Sequence, residues 1–261
     1  MSDYLTVCEE AARTGGQTLL SWIGRFGVRE KGPSDLVTQA DWASQEAIRD
    51  VLLGAFPEHG FISEEAEGEL DLTTEYCWVV DPLDGTTNYV HQLPHYAVSI
   101  ALLHRGQPIA GVVFDPVHNE CFSAARGQGA RLNGTVIHSS AVRDVSQALV
   151  AASFAAKVQA HAKEIDHFVA ALLQCQAVRR TGSAALNLCY VAAGRFDAFW
   201  ALSTKAWDVA AGVLLVEEAG GVVSRLDGGP LDLKGGPHPV AAATRELHEH
   251  FLKLLQNAAA T

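Results

Sequence analysis

The chain has 261 residues, of which 48% are hydrophobic and 19% charged. That balance excludes a disordered or fibrous protein, and the length is enough to bury a core without disulfide or metal staples. Lys and Arg number 19 against 30 Asp and Glu, a formal net charge of −11, which opposes general nucleic-acid binding and docking on anionic lipid. Neither nucleic acid nor membrane is therefore expected as a partner. The cysteines at 8, 77, 121, 175 and 189 are odd in number and form no C-x-x-C pair, so they are read as small buried hydrophobes in a reducing compartment. The N-terminus lacks a basic signal-peptide region, and no apolar run approaches the ~18 residues of a membrane helix. A cytoplasmic location is the expectation.

In chain order, Leu5, Cys8, Ala12, Leu19 and Ile23 recur at helical spacing and predict a helix over 3–24, with Gly15-Gly16 as a soft spot. Glu30 to Ser34 reads as a turn and Asp35 to Thr38 as extended chain. A second helix starts near Thr38 or Asp41, runs through Ile48, Leu52 and Phe56, and stops at Pro57. Phe61-Ile62 is a short strand before an acidic loop from Glu64 to Glu75. Tyr76 to Val80 is a β run ending at Asp81-Pro82. The apolar runs 97–103 and 109–114 flank Arg105-Gly106-Gln107 as a hairpin, and 120–125 is another strand. Gly127-Gln128-Gly129 and Asn133-Gly134 are turns.

Beyond residue 140 the pattern alternates. Strands are expected at 149–152, 196–200 and 222–223, and helices at 161–174, 184–193, 209–219 and 244–255. A meander followed by alternating elements predicts an α/β protein of two stacked sheets, with helices between and outside them. No linker, repeat or low-complexity stretch interrupts it.

The most informative segment runs from Trp78 to Tyr89 and contains Asp81-Pro82-Leu83-Asp84-Gly85-Thr86-Thr87. Asp81 closes a buried strand. If Asp84 opens a helical turn, both carboxylates face one point, where each raises the other's pKa. A hard divalent cation relieves that repulsion, and carboxylate oxygens suit Mg2+. Gly85-Thr86-Thr87 then offers backbone N–H groups and hydroxyls to an anion. The plainer alternative is an Asx-turn with a helix cap. Glu64-Glu65 stands at a second strand end, where a solvated acidic loop is the competing reading, as it is for Glu67, Glu69 and Asp71. Asp208, Asp41 and Ser183 each open a helix, so an ordinary N-cap competes for all three. The 11 histidines show no metal spacing, and neither a G-x-S-x-G elbow, a P-loop nor a G-x-G-x-x-G motif is present.

Taken together, these segments resemble the inositol monophosphatase family. The matching pieces are Lys31 to Thr38 with Asp41, Ile62 to Glu65, Trp78 to Tyr89, Gly111 to Gly134, Arg180 to Ala185, and Trp207 to Ala210 with Glu218 to Gly221. The resemblance implies an α/β (α+β) fold of sugar-phosphatase type, a layered αβαβα sandwich. It implies an N-terminal half, 1–138, carrying most metal ligands on an antiparallel sheet, and a C-terminal half, 139–261, completing the site. It implies Mg2+, two to three ions per site. Glu64, Asp81 and the Leu83 carbonyl would hold one ion; Asp81, Asp84 and Asp208 would hold a second; Glu64 and water would hold a third. Gly85 and Thr86 would meet the phosphate, with Gly182, Ser183, Ala184 and Asp208 on the substrate side. Glu64 with Thr86 would orient the attacking water, and Asp41 would support Thr86.

The implied activity is a Mg2+-dependent phosphomonoesterase acting on a small phosphate ester, such as inositol 1-phosphate or a related sugar or polyol phosphate. Lithium sensitivity and a homodimer come with the resemblance. One departure stands out. Inositol-specific members carry a Glu seven residues before the position of Asp208, where this chain has Ala201. Losing a charged hydrogen bond costs ~1.5–3 kcal/mol, enough to shift substrate preference. Histidinol phosphate, fructose 1,6-bisphosphate, a 3′-nucleotide and NADP are therefore alternatives. A non-enzymatic interaction protein on the same fold is a further one.

Overall fold

A computed structural model describes residues 3–25, 27–32, 35–65, 74–155, 157–159, 162–234 and 238–258. In chain order the elements are α1 (Asp3–Trp22), β1 (Val28–Gly32), β2 (Asp35–Thr38), α2 (Gln39–Ala55), β3 (Gly60–Ser63), β4 (Tyr76–Asp84), α3 (Thr86–Val90), β5 (Ala97–His104), β6 (Gln107–Asp115), β7 (Glu120–Ala125), β8 (Ala130–Leu132) and β9 (Thr135–Ile137). They continue with β10 (Leu149–Ser153), α4 (Lys163–Gln174), β11 (Ala177–Arg179), α5 (Ala184–Ala192), β12 (Ala198–Ala201), α6 (Ala206–Glu218), β13 (Val222–Arg225), β14 (Pro239–Ala242) and α7 (Arg245–Ala258). Pro33, Ser34, Glu67, Glu69, Asp71 and His161 lie outside the described residues.

Strands β3 to β9 form a seven-stranded sheet in chain order, antiparallel except for the parallel β3–β4 pair. A five-stranded sheet has the order β11-β10-β12-β14-β13. Alternation along the strands explains the layers. Trp78, Val80, Ile100 and Val112 point toward Leu5, Cys8, Leu19, Ile48 and Leu52 of α1 and α2. Cys77, Val79, Ala101 and Val113 point the other way, onto α5 and α6, whose far side packs on Ala151, Phe199 and Ala241 of the smaller sheet. The outer face of that sheet, with Val150, Trp200 and Val240, is covered by α4 and α7. The result is helix, sheet, helix, sheet, helix, the expected αβαβα sandwich. Both faces of β4 are covered, so its run is apolar without alternation. The middle helix α6 has no polar side; nine of its residues are buried.

The structure corrects several local expectations. Gly15-Gly16 is no soft spot, because α1 runs unbroken through it. A Cβ on Gly15 would sit 2.6 Å from Ile48 Cδ1, and one on Gly16 2.6 Å from Phe114 Cδ1. The two glycines let α1 lie against α2 on one side and β6 on the other. Residues Glu30 to Gly32, expected in a turn, belong to β1 and pair with β2 across a register irregularity. Strand β4 does not end at Asp81. It continues to Asp84, with Asp81 opposite Ser99 and Asp84 opposite Ala97, so an extra residue bulges out around Pro82. Ser44 Oγ of α2 donates to the Pro82 carbonyl at 3.0 Å and supports that bulge. Strand β14, short and broken off by a glycine- and proline-rich approach, is absent from the sequence pattern yet supplies the antiparallel partner of both β12 and β13.

Candidate active site

The site begins at the carboxyl ends of two parallel strands, where open sheets commonly receive ligands. Ser63 of β3 stands level with Val80 of β4. The next residue, Glu64, is held there by its own N–H, which donates to the Val80 carbonyl at 3.1 Å. Glu64 therefore stands beside Asp81. The bulge in β4 then brings Asp84 round to the same end of the sheet. Asp84 does not open a helix, as the sequence suggested; it closes the strand. Gly85 takes that role, with φ +97°, a left-handed conformation that favours glycine, and caps α3. A Cβ there would also press the His95 carbonyl at 3.1 Å.

From the other half, α6 begins at Ala206, three residues earlier than the sequence indicated. Asp208 is consequently inside the first turn rather than at the N-cap, and its Oδ2 accepts the Lys205 N–H at 2.7 Å. Asp41 likewise lies inside α2, which Thr38 caps. Its Oδ2 accepts from Thr38 N (2.9 Å) and Thr38 Oγ1 (2.7 Å), and its Oδ1 faces Thr86 Oγ1 at 3.4 Å. The single proton of Thr86 Oγ1 has a second acceptor, the Leu83 carbonyl, at 3.1 Å.

A cavity of about 510 Å3 gathers these groups. Glu64, Asp81, Leu83, Asp84, Gly85, Thr86, Gly182, Ala184 and Asp208, all singled out from the sequence, line it. Asp41 and Ser183 do not. Asp41 meets the cavity wall through Thr86. Ser183, expected on the substrate side, is fully buried. Its Oγ donates to Asp84 Oδ2 at 2.5 Å and accepts the Leu186 N–H at 3.1 Å, so it caps α5 and holds Asp84 at once. The N–H groups of Ala184 (3.3 Å) and Ala185 (2.8 Å) also donate to Asp84. Asp84 thus sits on the positive end of α5. Ala201 is buried against the middle helices and lines no part of the cavity. The stretch just beyond β12 contributes Ser203 and Thr204 instead.

Thr87, named with Gly85 and Thr86 as an anion donor, also lines the cavity, while the sequence reading gave no site role to the remaining wall: Asn88, Leu93, Ala152, Ser153, Phe154, Arg180 and Thr181. Ala152 to Phe154 had a signal, because they close a predicted strand at the sheet end where ligands gather. Leu93 had none, since it reaches the rim through a short turn after α3. Glu65, whose expected setting was a solvated loop, is 5% exposed.

The electrostatics are those of crowded acids. Burial, then the charges of Glu64, Asp84 and Asp208, push the Asp81 carboxyl well above its usual range. Burial, then Asp84, does the same to Asp208. Asp84 is pushed up to about 6 by burial, against the opposing pull of the Ser183, Ala185 and Ala184 hydrogen bonds. Such a set fits a bound hard cation: the donors are carboxylate and carbonyl oxygens, and their mutual repulsion is what a cation relieves. Among the described residues no three acidic, His or Cys side chains already enclose an ion point.

A five-layered fold with acids from the larger sheet and from the middle helix α6 on one cavity defines a class of sandwich proteins, and comparison with known sequences places the chain within it. The chain belongs to the inositol monophosphatase family, whose model matches residues 1–260. It is 48% identical over 234 residues to the protein named Nus factor SuhB of Escherichia coli strain K12, covering 88% of this chain and 87% of that one. Among solved structures it resembles the extragenic suppressor protein suhB of Bartonella henselae, with TM-score 0.92, 36% identity and 98% and 99% of the two chains covered. It also resembles an IMPase of Thermotoga maritima, with TM-score 0.89, 30% identity and 99% and 98% covered. The family supports a phosphatase.

Proposed function

We propose that the chain is a Mg2+-dependent phosphomonoesterase that hydrolyses a small phosphate monoester, inositol 1-phosphate or a related sugar or polyol phosphate. The observation that carries this reading is the joining of Glu64, Asp81, Asp84 and Asp208 with the Gly85-Thr86 backbone and hydroxyl on one cavity. In this reading Glu64, Asp81 and the Leu83 carbonyl hold one Mg2+, and Asp81, Asp84 and Asp208 a second; a third ion uses Glu64. When bound, Mg2+ lowers the pKa of a water and neutralises negative charge on the departing oxygen. Gly85 and Thr86 receive the phosphate through the N–H groups opening α3 and the Thr86 hydroxyl. Glu64 and Thr86 orient the attacking water. Asp41, fixed by two hydrogen bonds from Thr38, offers Thr86 a second acceptor and so sets how its hydroxyl turns. Asp208, Gly182 and Ala184 face the alcohol.

The substrate side carries no Ala201 contact, so the choice among inositol 1-phosphate, histidinol phosphate, fructose 1,6-bisphosphate, a 3′-nucleotide and NADP falls to Ser153, Phe154, Arg180, Ser203 and Thr204. Phosphate release from that panel, with Mg2+ and with Asp84→Asn as the blank, is the test. Release with none of them would retire the reading. Inhibition by lithium and sedimentation as a homodimer are parts of the same proposal; a species of one chain's mass, 27.9 kDa, at micromolar concentration would remove the second.

A second reading has one observation in its favour. The 48% identical relative is named a Nus factor, a name that points to transcription, and on this reading the chain is an interaction protein that contacts a protein partner on the phosphatase fold. The net charge of −11 favours a protein over nucleic acid in that role. Partner binding unaffected by Asp84→Asn, together with no ester hydrolysis, would select it.

A further inference from the structure

The donors that hold Asp84 come from residues 183–185, about a hundred positions away in the chain, so something must fix that turn against the strand end. Asn88 sits on α3, four residues past Asp84. Its Nδ2 donates to two backbone carbonyls, His95 at 2.7 Å and Thr181 at 2.9 Å. An amide NH2 has two protons, and both are used. Thr181 is followed by Gly182, with φ +92°, and then by Ser183. A ring therefore closes: from Asp84 along the chain to Asn88, across to Thr181, along to Ser183, and back to Asp84 through the Ser183 hydroxyl. Thr181 Oγ1 donates to Asn187 Oδ1 at 2.7 Å, which ties the same turn to α5. The fit is tight, since a Cβ on Gly182 would lie 2.8 Å from Asn88 Nδ2 and 3.0 Å from its Oδ1.

We propose that Asn88 is a positioning residue that, through the Thr181–Ser183 turn, sets the three hydrogen-bond donors on Asp84 and thereby the readiness of that carboxylate to bind Mg2+. The link to Mg2+ rests on the phosphatase reading; the clamp itself does not. Asp cannot replace Asn here, because it has no proton to give to either carbonyl. An alanine at 182 strikes the same amide from the opposite side.

The test uses the full chain, with Mg2+ alone as the probe, in calorimetric titrations of wild type, Asn88→Ala, Asn88→Asp, Gly182→Ala and the Asn88→Ala/Gly182→Ala double variant. Each single variant is expected to weaken Mg2+ about tenfold, the size seen when a group behind a metal ligand is lost. The double variant is expected to lose less than the sum, because removing the amide removes the clash. With ester and saturating Mg2+, KM of the two Asn88 single variants should stay within about threefold of wild type while the Mg2+ concentration for half-maximal rate rises about tenfold. Hydrogen exchange at the Ala184 and Ala185 amides, without metal, reads the clamp directly and should speed up in Asn88→Ala. Unchanged exchange at these amides, additive Mg2+ losses, or Mg2+ affinity in Asn88→Ala within about twofold of wild type would overturn the proposal. Faster exchange beside a wild-type chain that binds no Mg2+ would support the clamp and overturn the phosphatase reading alone.

Discussion

Two hollows of this molecule differ in wall chemistry more than in size. One, of about 790 Å3, lies between α4 and α7 on the outside of the smaller sheet, walled by Val169, Leu173, Leu254, Asp144, Asp166, His250 and Lys253 among others. The other, of about 510 Å3, lies at the strand ends and takes walls from both sheets. In the larger hollow, acids and bases are mixed and Leu173 is 78% exposed. In the smaller one four carboxylates converge, and the buried ones are held by named donors. Beneath the outer helices one buried polar group fares differently: His167 of α4 is fully buried and both its ring nitrogens lack a partner. Volume alone would favour the wrong hollow. What marks a site for chemistry is like charge concentrated against burial and then held in place by hydrogen bonds from distant chain segments.

The sharpest way to break that contrast is Asp84→Asn. It keeps shape and removes the charge, and it should lower Mg2+-dependent phosphate release by about a hundredfold or more; a rate within about threefold of wild type would void the metal assignment. Chelation of Mg2+ should do the same to the wild-type chain. Next in size is Ser183→Ala, which touches no part of the cavity yet removes a donor to Asp84. A loss of about tenfold, with the Mg2+ requirement raised, is the expected outcome in steady-state assays at varied Mg2+.

The outer helix layer, α4 and α7, predicts effects on stability and none on rate. His167→Leu removes two unpartnered polar atoms and should stabilise the fold by about 1–3 kcal/mol in urea unfolding. Its pH dependence carries a sign. Burial holds the His167 and His248 imidazoles below their ordinary 6.5. Protonation is then harder in the fold than in the unfolded chain. Stability is complete above the unfolded value and falls as pH drops through 6.5 toward the folded one. His167→Leu should flatten that fall between about pH 7 and 5, and an unchanged slope would remove His167 from the account. The smallest effect expected is from Leu173→Glu at the rim of the outer hollow, which should leave phosphate release within about twofold of wild type. A large loss there would mean that the outer surface is coupled to the strand-end site.

The sequence was legible where physics acts locally. Continuous apolar runs in β4 to β7, buried on both faces, and period-3.6 stripes in α1, α2 and α7 follow from neighbours along the chain. The pair Asp81 and Asp84 was legible too, since three residues of separation at a strand end keep both at one place whether a turn or a bulge intervenes. The bulge itself was not, because it depends on Ser44 reaching across from α2. Ser183 was misplaced for the same kind of reason: its decisive partner, Asp84, is 99 residues away. Ala201 looked like a pocket residue by counting back from Asp208. Its direction is set by the pleat of β12, which turns it into the middle layer. Strand β14 stayed hidden because its four buried residues, Pro239 to Ala242, make too short an apolar run and begin with a proline.

The middle helix layer has a consequence for motion. Helix α6 lies directly on β6, where Gly111 lets the Ala211 backbone approach so closely that a Cβ on Gly111 would meet Ala211 Cα at 3.0 Å. Its other side is sealed by the smaller sheet. An amide in such a helix meets solvent only when the whole molecule opens, whereas the 181–183 turn is tied by a few side-chain bonds and opens on its own. Asp208 is therefore carried by a helix anchored in the middle layer, and Gly182 by a turn expected to open more readily. The two faces that meet an incoming ester would move on different clocks: a fixed anvil under the acids, and a lighter wall that gives way first when product leaves.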